Sequence, residues 1–177
     1  MGLFNLFNRS NKNSIKEKTY EENGYTIGVD SHIIYHVPKL QGSHVYAFPN
    51  GTTGLSKTAV MEMRDSALRQ IIVPGSFKKF NVELELLNFE YLVLVELQEG
   101  VEEVHCIFDP NIDVILPTTI KKIGFYDYPK VQDLILPDGI VEITAWFASD
   151  DTNLISANIP GTIKEIPTGA FHQCQNL

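Results

Sequence analysis

Five segments in the second half of the chain share one pattern of apolar and polar positions. They read IIVPGSFKKF, VELQEGVEEV, VILPTTIKKI, LILPDGIVEI and ANIPGTIKEI, starting at Ile71, Val95, Val114, Leu134 and Ala157. Each segment is anchored by a proline, at Pro74, Pro117, Pro137 and Pro160, or by Gln98 in its place. Successive anchors are 24, 19, 20 and 23 residues apart. So short a period is typical of a solenoid coil that consists of one strand and a return connection.

Four columns of the aligned segments are apolar in every copy. With the anchor as position 0, they are positions −3, −1, +3 and +6. The columns are Ile71, Val95, Val114, Leu134 and Ala157; Val73, Leu97, Leu116, Leu136 and Ile159; Phe77, Val101, Ile120, Ile140 and Ile163; Phe80, Val104, Ile123, Ile143 and Ile166. Because only 44% of the chain is hydrophobic, this agreement indicates a repeated core.

The columns predict the local structure of one coil. Positions −3 and −1 point to one face of a short strand, because side chains alternate along a strand. The proline ends that strand since it has no N–H to donate. A second extended piece supplies the +3 and +6 contacts, and the polar pair between them, such as Lys121 and Lys122, faces water. Stacked coils then share one core, which predicts an α/β solenoid with a parallel sheet and the right-handed winding usual for parallel crossovers.

The opposite face of the predicted strand carries a candidate binding surface. Exposed aliphatic side chains rimmed by charge are typical of protein-binding patches. The residues that we expect to form it are Ile72, Leu94, Glu96, Asp113, Ile115, Asp133 and Ile135. Two other readings stay open, because isolated aliphatic residues are common on sheets and the N-terminal segment of the chain is another candidate to cover them.

The end of the chain resembles a known repeat family. The sequence IPGTIKEIPTGAFHQCQNL, and its partial copy ITAWFASDDTNL from Ile143, are similar to the BspA-type leucine-rich repeat. The resemblance covers about residues 68–177 and implies a leucine-rich-repeat superhelix whose concave side is the face just described. It implies that Cys174 is a buried structural cysteine. The coils around Cys106 and Tyr126 depart from the Ala-Phe-x-x-Cys segment of the family, and we expect short turns there. Family members are often surface-exposed adhesins.

The chain before the repeats is organised differently. We expect a flexible basic tail at 1–20 and an N-terminal cap at 21–67, with strands and one helix from Ser56 to Gln70 that Ser56 caps. SHVYAFPNG, ending near Pro49, reads as a degenerate first coil. The solenoid then spans 68–177 in about five coils, with an uncapped edge near Leu177.

Charge and composition exclude several classes of protein. The formal net charge is −8, and it divides into +3 for residues 1–20 and −11 for the rest. Because the residues after 20 are so acidic, they repel a phosphate backbone, and we expect no nucleic-acid partner. No apolar stretch approaches the length of a membrane span, and the start of the chain is not a secretory signal, so we expect a cytoplasmic protein. The apolar residues Leu3, Phe4, Leu6 and Phe7 leave a weak membrane-surface contact open.

No catalytic or metal site is predicted. We do not expect Cys106 to be a nucleophile activated by His105, because neighbouring residues in an extended segment point to opposite faces. His32 and His36 lie on one predicted strand face with His44 nearby, but a metal site needs further ligands and fixed partners. The acidic residues Glu99, Glu102 and Glu103 lack the spacing of a calcium loop.

The leading hypothesis is therefore a non-catalytic module, without a cofactor, that binds a protein or peptide on the concave face. One alternative is a structural subunit that self-assembles as a homo-oligomer through the open C-terminal edge. Another is a metal-dependent enzyme that uses the histidines of the N-terminal segment.

Overall fold

A computed structural model of the chain describes residues 17–42, 44–64, 67–82, 89–107, 112–126 and 132–177. Its helix and strands follow one another as β1 (Thr19–Glu22), β2 (Tyr25–Gly28), β3 (Ile33–His36), β4 (Val45–Ala47), β5 (Gly54–Leu55), α1 (Lys57–Arg64), β6 (Gln70–Val73), β7 (Lys79–Val82), β8 (Leu94–Leu97), β9 (Glu103–Ile107), β10 (Asp113–Ile115), β11 (Lys122–Tyr126), β12 (Asp133–Ile135), β13 (Glu142–Ile143) and β14 (Ser156–Asn158).

The strands that precede the anchors form the first sheet of a parallel β-solenoid. Strands β4, β6, β8 and β10 are parallel neighbours, and β12 pairs with β14 in a two-stranded continuation. Their register joins equivalent positions of successive coils, as in Ile71 opposite Val95 and Val95 opposite Val114. The pairing of β4 with β6 confirms the degenerate coil at Pro49.

A second parallel sheet follows the anchors. It consists of β7, β9, β11 and β13, again joined at equivalent positions of each coil. The segments around Cys106 and Tyr126, where we expect short turns, are the ends of strands β9 and β11. That expectation is wrong, because five consecutive pairs from Lys122 to Tyr126 hydrogen-bond this part of β11 to β9. Four complete turns therefore contribute one strand to each sheet.

The same tight turn links the two sheets in every coil. The N–H at position +3 donates to the anchor carbonyl, for example from Phe77 to Pro74 at 3.1 Å and from Ile120 to Pro117 at 3.3 Å. This turn swings the +3 side chain into the solenoid, so that Phe77 and Ile120 are buried. The apolar +3 column thus follows from turn geometry rather than from strand alternation.

The core confirms the predicted columns in all but the last coil. The positions −3, −1, +3 and +6 are buried around Pro74, Gln98, Pro117 and Pro137, except that Val114 and Leu116 are half-buried. Stacked rings of Phe48 and Phe77, 5.6 Å apart, extend this core toward the N-terminal coil. In the last coil Ile163 is only half-buried and Ile166 is exposed, which the repeat pattern does not predict.

Helix is scarce in this solenoid, which consists mainly of parallel strands. Within the described residues the only α-helix is α1, and it is shorter than the predicted span from Ser56 to Gln70. Ser56 does cap it, because its hydroxyl accepts a hydrogen bond from the N–H of Ala59 at 3.1 Å. Gln70 instead begins β6, whose pairing with β4 and β8 outweighs helical spacing.

The N-terminal elements form a mixed sheet. Strands β1, β2 and β3 are antiparallel, and β3 then pairs in parallel with β5. Ile27 and Ile34 from this sheet are fully buried, and the hydroxyl of Tyr25 donates to the carbonyl of Ala47 in β4 at 3.0 Å. The first sixteen residues, with Leu3, Phe4, Leu6 and Phe7, lie outside the described residues.

In the described part of the chain no helix has both the length and the apolar composition that crossing a membrane requires.

Candidate functional site

The candidate surface is the solvent face of the first sheet, formed by positions −4 and −2 of its strands. The register places Ile72, Glu96 and Ile115 side by side, and Gln70, Leu94 and Asp113 beside them in a second row. On the two-stranded continuation Asp133 faces Ser156 and Ile135 faces Asn158. Neighbouring strands lie about 4.8 Å apart, so side chains within a row are in reach of one another.

Exposure divides the predicted site residues into two groups. Ile115 and Ile135 are 50% and 73% exposed, so both present large aliphatic side chains to solvent at regular strand positions. Asp113 and Asp133 are exposed, whereas Ile72, Leu94 and Glu96 are half-buried. We expected Leu94, Ile115 and Ile135 in one cluster. The structure brings Leu94 and Ile115 onto adjacent strands and places Ile135 on the separate β12–β14 sheet.

The solvent face is acidic. Glu96, Asp113 and Asp133 lie on it, and no Lys, Arg or His occupies positions −4 or −2 of these six strands. The hydroxyl of Ser156 donates to Asp133 at 2.6 Å, and the amide of Gln70 lies 3.5 Å from Glu96. The carboxylates therefore have polar neighbours but no cationic partner in these rows, and the face attracts positive charge.

The sequence analysis did not identify two exposed apolar residues next to this face. Val93 and Ile155 precede β8 and β14 directly, and both side chains are exposed. They stand at position −5, two residues before the buried −3 column, so the alternation rule assigns them to the core. The first coil-to-coil hydrogen bond forms there, from the N–H of Val93 to the carbonyl of Arg69 at 3.0 Å. Their exposure widens the apolar surface at the amino ends of the strands.

The second sheet carries an alternating row of charges that the sequence interpretation also missed. Along this row Lys79 pairs with Glu103 at 2.9 Å, and Lys122 pairs with Glu142 at 2.6 Å. The hydrogen bond that the ammonium group of Lys122 donates to the carboxylate of Glu142 raises the pKa of Lys122. Because each cation faces the carboxylate of the next coil, this surface is internally neutralised and attracts ligands less than the solvent face does.

The acidic residues near the anchor at Gln98 are also engaged within the fold. Glu102 lies between Lys121, at 3.0 Å, and Lys78, at 3.5 Å, and these ammonium groups lower its pKa. Glu99 accepts from the N–H of Thr118 at 2.8 Å, which lowers its pKa. These carboxylates stabilise coil stacking and form no loop of convergent oxygen ligands.

The histidines of the N-terminal segment do not converge. We expected His32 and His36 on one strand face. The structure places His32 before β3, with a positive φ of 55°, so the two residues do not share a strand face. His36 instead contacts Glu62 of α1 through Nδ1 at 2.6 Å. His44 lines a neighbouring cavity of about 620 Å³, beside Glu62, Lys39 and Tyr46. Across the part of the chain that the structure describes, no three His, Cys, Asp or Glu residues are grouped so as to hold a metal ion.

The thiol of Cys174 is poorly suited to nucleophilic catalysis. Cys174 is half-buried, its thiol donates to the carbonyl of Ala148 at 3.0 Å, and burial raises its pKa. A raised pKa keeps the thiol protonated and therefore unreactive. His105 lies on β9, and the side chain of Cys106 is outside the described residues.

Comparison with known proteins identifies the repeat. Residues 110–177 match the family model described as BspA type Leucine rich repeat region (6 copies). No curated protein and no solved structure matches the chain. The matched segment contains the strands from β10 to β14 and the Cys174 unit whose motif carries the resemblance. The end of the chain is thus similar to the BspA-type leucine-rich repeat, in agreement with the resemblance found in its sequence.

Proposed function

We propose that this protein is a non-catalytic interaction module that binds an extended protein segment on the solvent face of the first sheet. The observation that carries the proposal is the exposure of Ile115 and Ile135 on regular strand positions. Complete burial of a fully exposed side chain of this kind contributes about 1.5–3 kcal/mol, and these two partly exposed residues can contribute the corresponding part of it on binding. The half-buried Ile72 and Leu94 extend the apolar surface toward the N-terminal coils.

Charge supports a partner that is basic as well as apolar. Glu96, Asp113 and Asp133 rim the aliphatic residues, and no cation lies in the same rows of the six strands. Complementary charges raise the association rate and exclude acidic competitors, while the buried aliphatic contacts supply most of the affinity. We therefore expect Lys or Arg next to Leu, Ile or Val in the bound segment.

The proposal includes a right-handed solenoid whose N-terminal end is sealed by residues 21–67. Support for the seal comes from Tyr25, whose hydroxyl satisfies a carbonyl on the outer edge of β4, and from the buried Ile27 and Ile34. A covered edge prevents strand-to-strand aggregation and leaves the flat face as the accessible surface.

The test is selection of peptides from a random library on immobilised protein. The wild-type chain is compared with the Ile115→Lys, Ile135→Lys double variant, whose new ammonium groups repel basic peptides. We expect the wild type to enrich basic and aliphatic peptides, and the double variant to lose at least about tenfold in affinity for them. Increasing salt should weaken binding to the wild type.

Met61→Lys is the matched control. Met61 is 54% exposed on α1, so the same chemical change occurs at similar exposure away from the first sheet. This variant should bind as the wild type does. Equal loss in the control, or undiminished binding by the double variant when both variants fold, contradicts the proposal.

A further inference from the structure

The residues that precede the described part of the chain have the composition expected of a ligand for the first sheet. Residues 1–16 contain three bases, Arg9, Lys12 and Lys16, and no acid, so their formal charge is +3 while the remaining residues carry −11. The same stretch contains large apolar residues, which are Leu3, Phe4, Leu6, Phe7 and Ile15. It therefore combines basic and apolar side chains, as does the segment that we expect on the solvent face.

The part of this face nearest the N-terminal sheet has a matching surface. We call it the proximal patch, which is the solvent face of the four paired strands β4, β6, β8 and β10. One row of the patch consists of Ala47, Ile72, Glu96 and Ile115, and the other consists of Val45, Gln70, Leu94 and Asp113. Most of these side chains are apolar, and Ile115 is 50% exposed. The two acids interrupt the apolar rows at β8 and β10.

Charge in the proximal patch favours a basic occupant. Glu96 and Asp113 lie on β8 and β10, and no Lys, Arg or His stands at position −4 or −2 of the four strands. His44 and Arg69 stand outside the two rows, at position −5 before β4 and β6. The negative charge is therefore concentrated at the β8–β10 end of the patch, which attracts a basic segment. The second sheet attracts it less, because its carboxylates are paired with lysines.

Residues 1–16 are attached to the fold at an anchored residue. The carboxylate of Glu17 accepts hydrogen bonds from the N–H groups of Asp30 and Ser31, at 2.9 and 3.0 Å. It also accepts one from the hydroxyl of Tyr35, at 2.8 Å. Strand β1 follows directly and belongs to the N-terminal sheet. The segment before Glu17 therefore departs from a fixed point of that sheet.

A segment attached there is long enough to reach the proximal patch. Strand β1 leads from Glu17 to the hairpin with β2, where the hydroxyl of Tyr25 donates to the carbonyl of Ala47 in β4. The path along β1 is about 17 Å, and the three strand spacings from β4 to β10 add about 14 Å. The stretch from Phe7 to Glu17 reaches about 33 Å when it is extended. Phe7 and the residues before it therefore reach β10.

We propose that residues 1–16 dock on the proximal patch and compete there with the partner segment, an inference that rests on the proposed function because one face binds both. The rings of Phe4 and Phe7 cover Ile115, and Arg9 faces Asp113. Apolar contact and opposite charge act together in this arrangement. The patch is then occupied by a segment of its own chain until a partner displaces it.

Attachment to the same chain strengthens this contact without adding interactions. A tethered segment is present at an effective concentration on the order of 1 mM. With a dissociation constant on the order of 0.1 mM for the segment itself, the patch is occupied most of the time, and a competing peptide binds about tenfold more weakly. Docking therefore raises the affinity that a partner needs and excludes weakly bound peptides.

Peptide binding by the full chain tests the competition. The probes are the basic and aliphatic peptides obtained by selection, and they are titrated into the wild type and into the Phe7→Ser, Arg9→Gln, Lys12→Gln variant. These substitutions remove apolar and charged contacts of the segment without adding an acid. We expect the variant to bind the peptides about tenfold more tightly than the wild type does.

The matched control changes the same segment at three other positions. It replaces three asparagines by serine, at Asn5, Asn8 and Asn11, and it should bind the peptides as the wild type does. NOEs from the rings of Phe4 and Phe7 to the methyl groups of Ile115 report the contact directly. We expect these NOEs in the wild type and in the control, and we expect them to persist on dilution because the contact lies within one chain.

The outcomes separate this inference from the proposed function. Equal and measurable peptide affinity in the three proteins, or absence of the NOEs, overturns the docking of residues 1–16. The proposed function then stands when the Ile115→Lys, Ile135→Lys variant still loses peptide binding. NOEs without peptide binding by any of the three proteins support docking and contradict the proposed function.

Two further results identify a different contact. NOEs that disappear on dilution show that the occupant is a second copy of the chain. Cosedimentation of the wild type with phosphatidylserine vesicles that the Phe7→Ser, Arg9→Gln, Lys12→Gln variant does not share, without the NOEs, shows that residues 1–16 contact a membrane surface. Either result overturns the proposal.

Discussion

The indole of Trp146 lies against the backbone of Gly169, one coil further along the solenoid. A Cβ on Gly169 would lie 2.6 Å from Cε3 of that ring. The two residues are equivalent in the aligned coils and share a left-handed backbone, with φ of 62° at Trp146 and 72° at Gly169. The ring also meets His172 edge to face at 5.3 Å. The last two coils are thus copies of one backbone, and the glycine of one makes room for the tryptophan of the other.

Gly169→Ala should destabilise the protein by about 1–3 kcal/mol, because alanine is strained at positive φ and its methyl group displaces the indole. Chemical denaturation followed by circular dichroism measures the change. Gly161→Ala is the matched control, since its Cβ meets no atom within 4 Å, and it should stay within about 0.5 kcal/mol of the wild type. A neutral Gly169→Ala variant would show that the ring does not pack there.

Glu17 should make stability depend on pH in the acid range. Its carboxylate accepts hydrogen bonds from the N–H groups of Asp30 and Ser31 and from the hydroxyls of Ser31 and Tyr35, which lower its pKa from 4.5 to about 2. A carboxyl group whose pKa is lower in the folded state stabilises fully above its unfolded pKa, and this contribution disappears as the pH falls toward 2.

Glu17→Gln should therefore lower the denaturation midpoint at neutral pH and have little effect near pH 2. Glu22→Gln, on the exposed strand β1, serves as the control and should change little at either pH. If the deficit of Glu17→Gln stayed constant across this range, the hydrogen bonds to its carboxylate would not contribute to stability.

Glu103→Lys should destabilise the second sheet, because it places a third ammonium group between Lys79 and Lys122. We expect a loss of about 1 kcal/mol at low ionic strength that decreases as salt screens the repulsion. Unfolding in low and high salt measures it. Exchanging the charges, by adding Lys79→Glu and Lys122→Glu to Glu103→Lys, restores opposite signs along these three strands and should recover part of the loss. A loss insensitive to salt would point to packing instead.

Because side chains alternate along a strand of the first sheet, substitutions at adjacent residues should differ strongly in their effect on stability. Ile135→Ser should change stability by no more than about 0.5 kcal/mol, whereas Leu134→Ala should cost about 2–5 kcal/mol. Ile135 is 73% exposed, while Leu134 is buried in the core. Equilibrium unfolding of both variants is the measurement. Similar losses at the two positions would show that the solvent face is covered in solution.

Much of the fold could be predicted from the columns of the repeat. The apolar positions around Pro117 and Pro137 predict the strand, its inward face and its parallel stacking, since one coil cannot bury them alone. The second sheet was harder to predict. A turn at Cys106 and a strand there satisfy the same local pattern, and only the hydrogen bonds between β9 and β11 decide between them.

The candidate site was predicted only in part, for a related reason. Alternation placed Ile115 and Ile135 on the solvent face, and both are exposed. Alternation also assigned Val93 to the core, but the chain enters the first sheet at this residue and its side chain is exposed. The charge rows became visible only when register showed which residues of successive coils are neighbours.

The sequence by itself determined the repeat, the buried columns and the family resemblance of the last coils, because these depend on periodicity within one coil. The tertiary structure decided where the second sheet forms and how closely successive coils approach one another. Those features arise from contacts between residues about twenty positions apart, such as Thr119 with Gly100 and Gly75 with Glu99. Stacking geometry, which no single coil encodes, sets their distances.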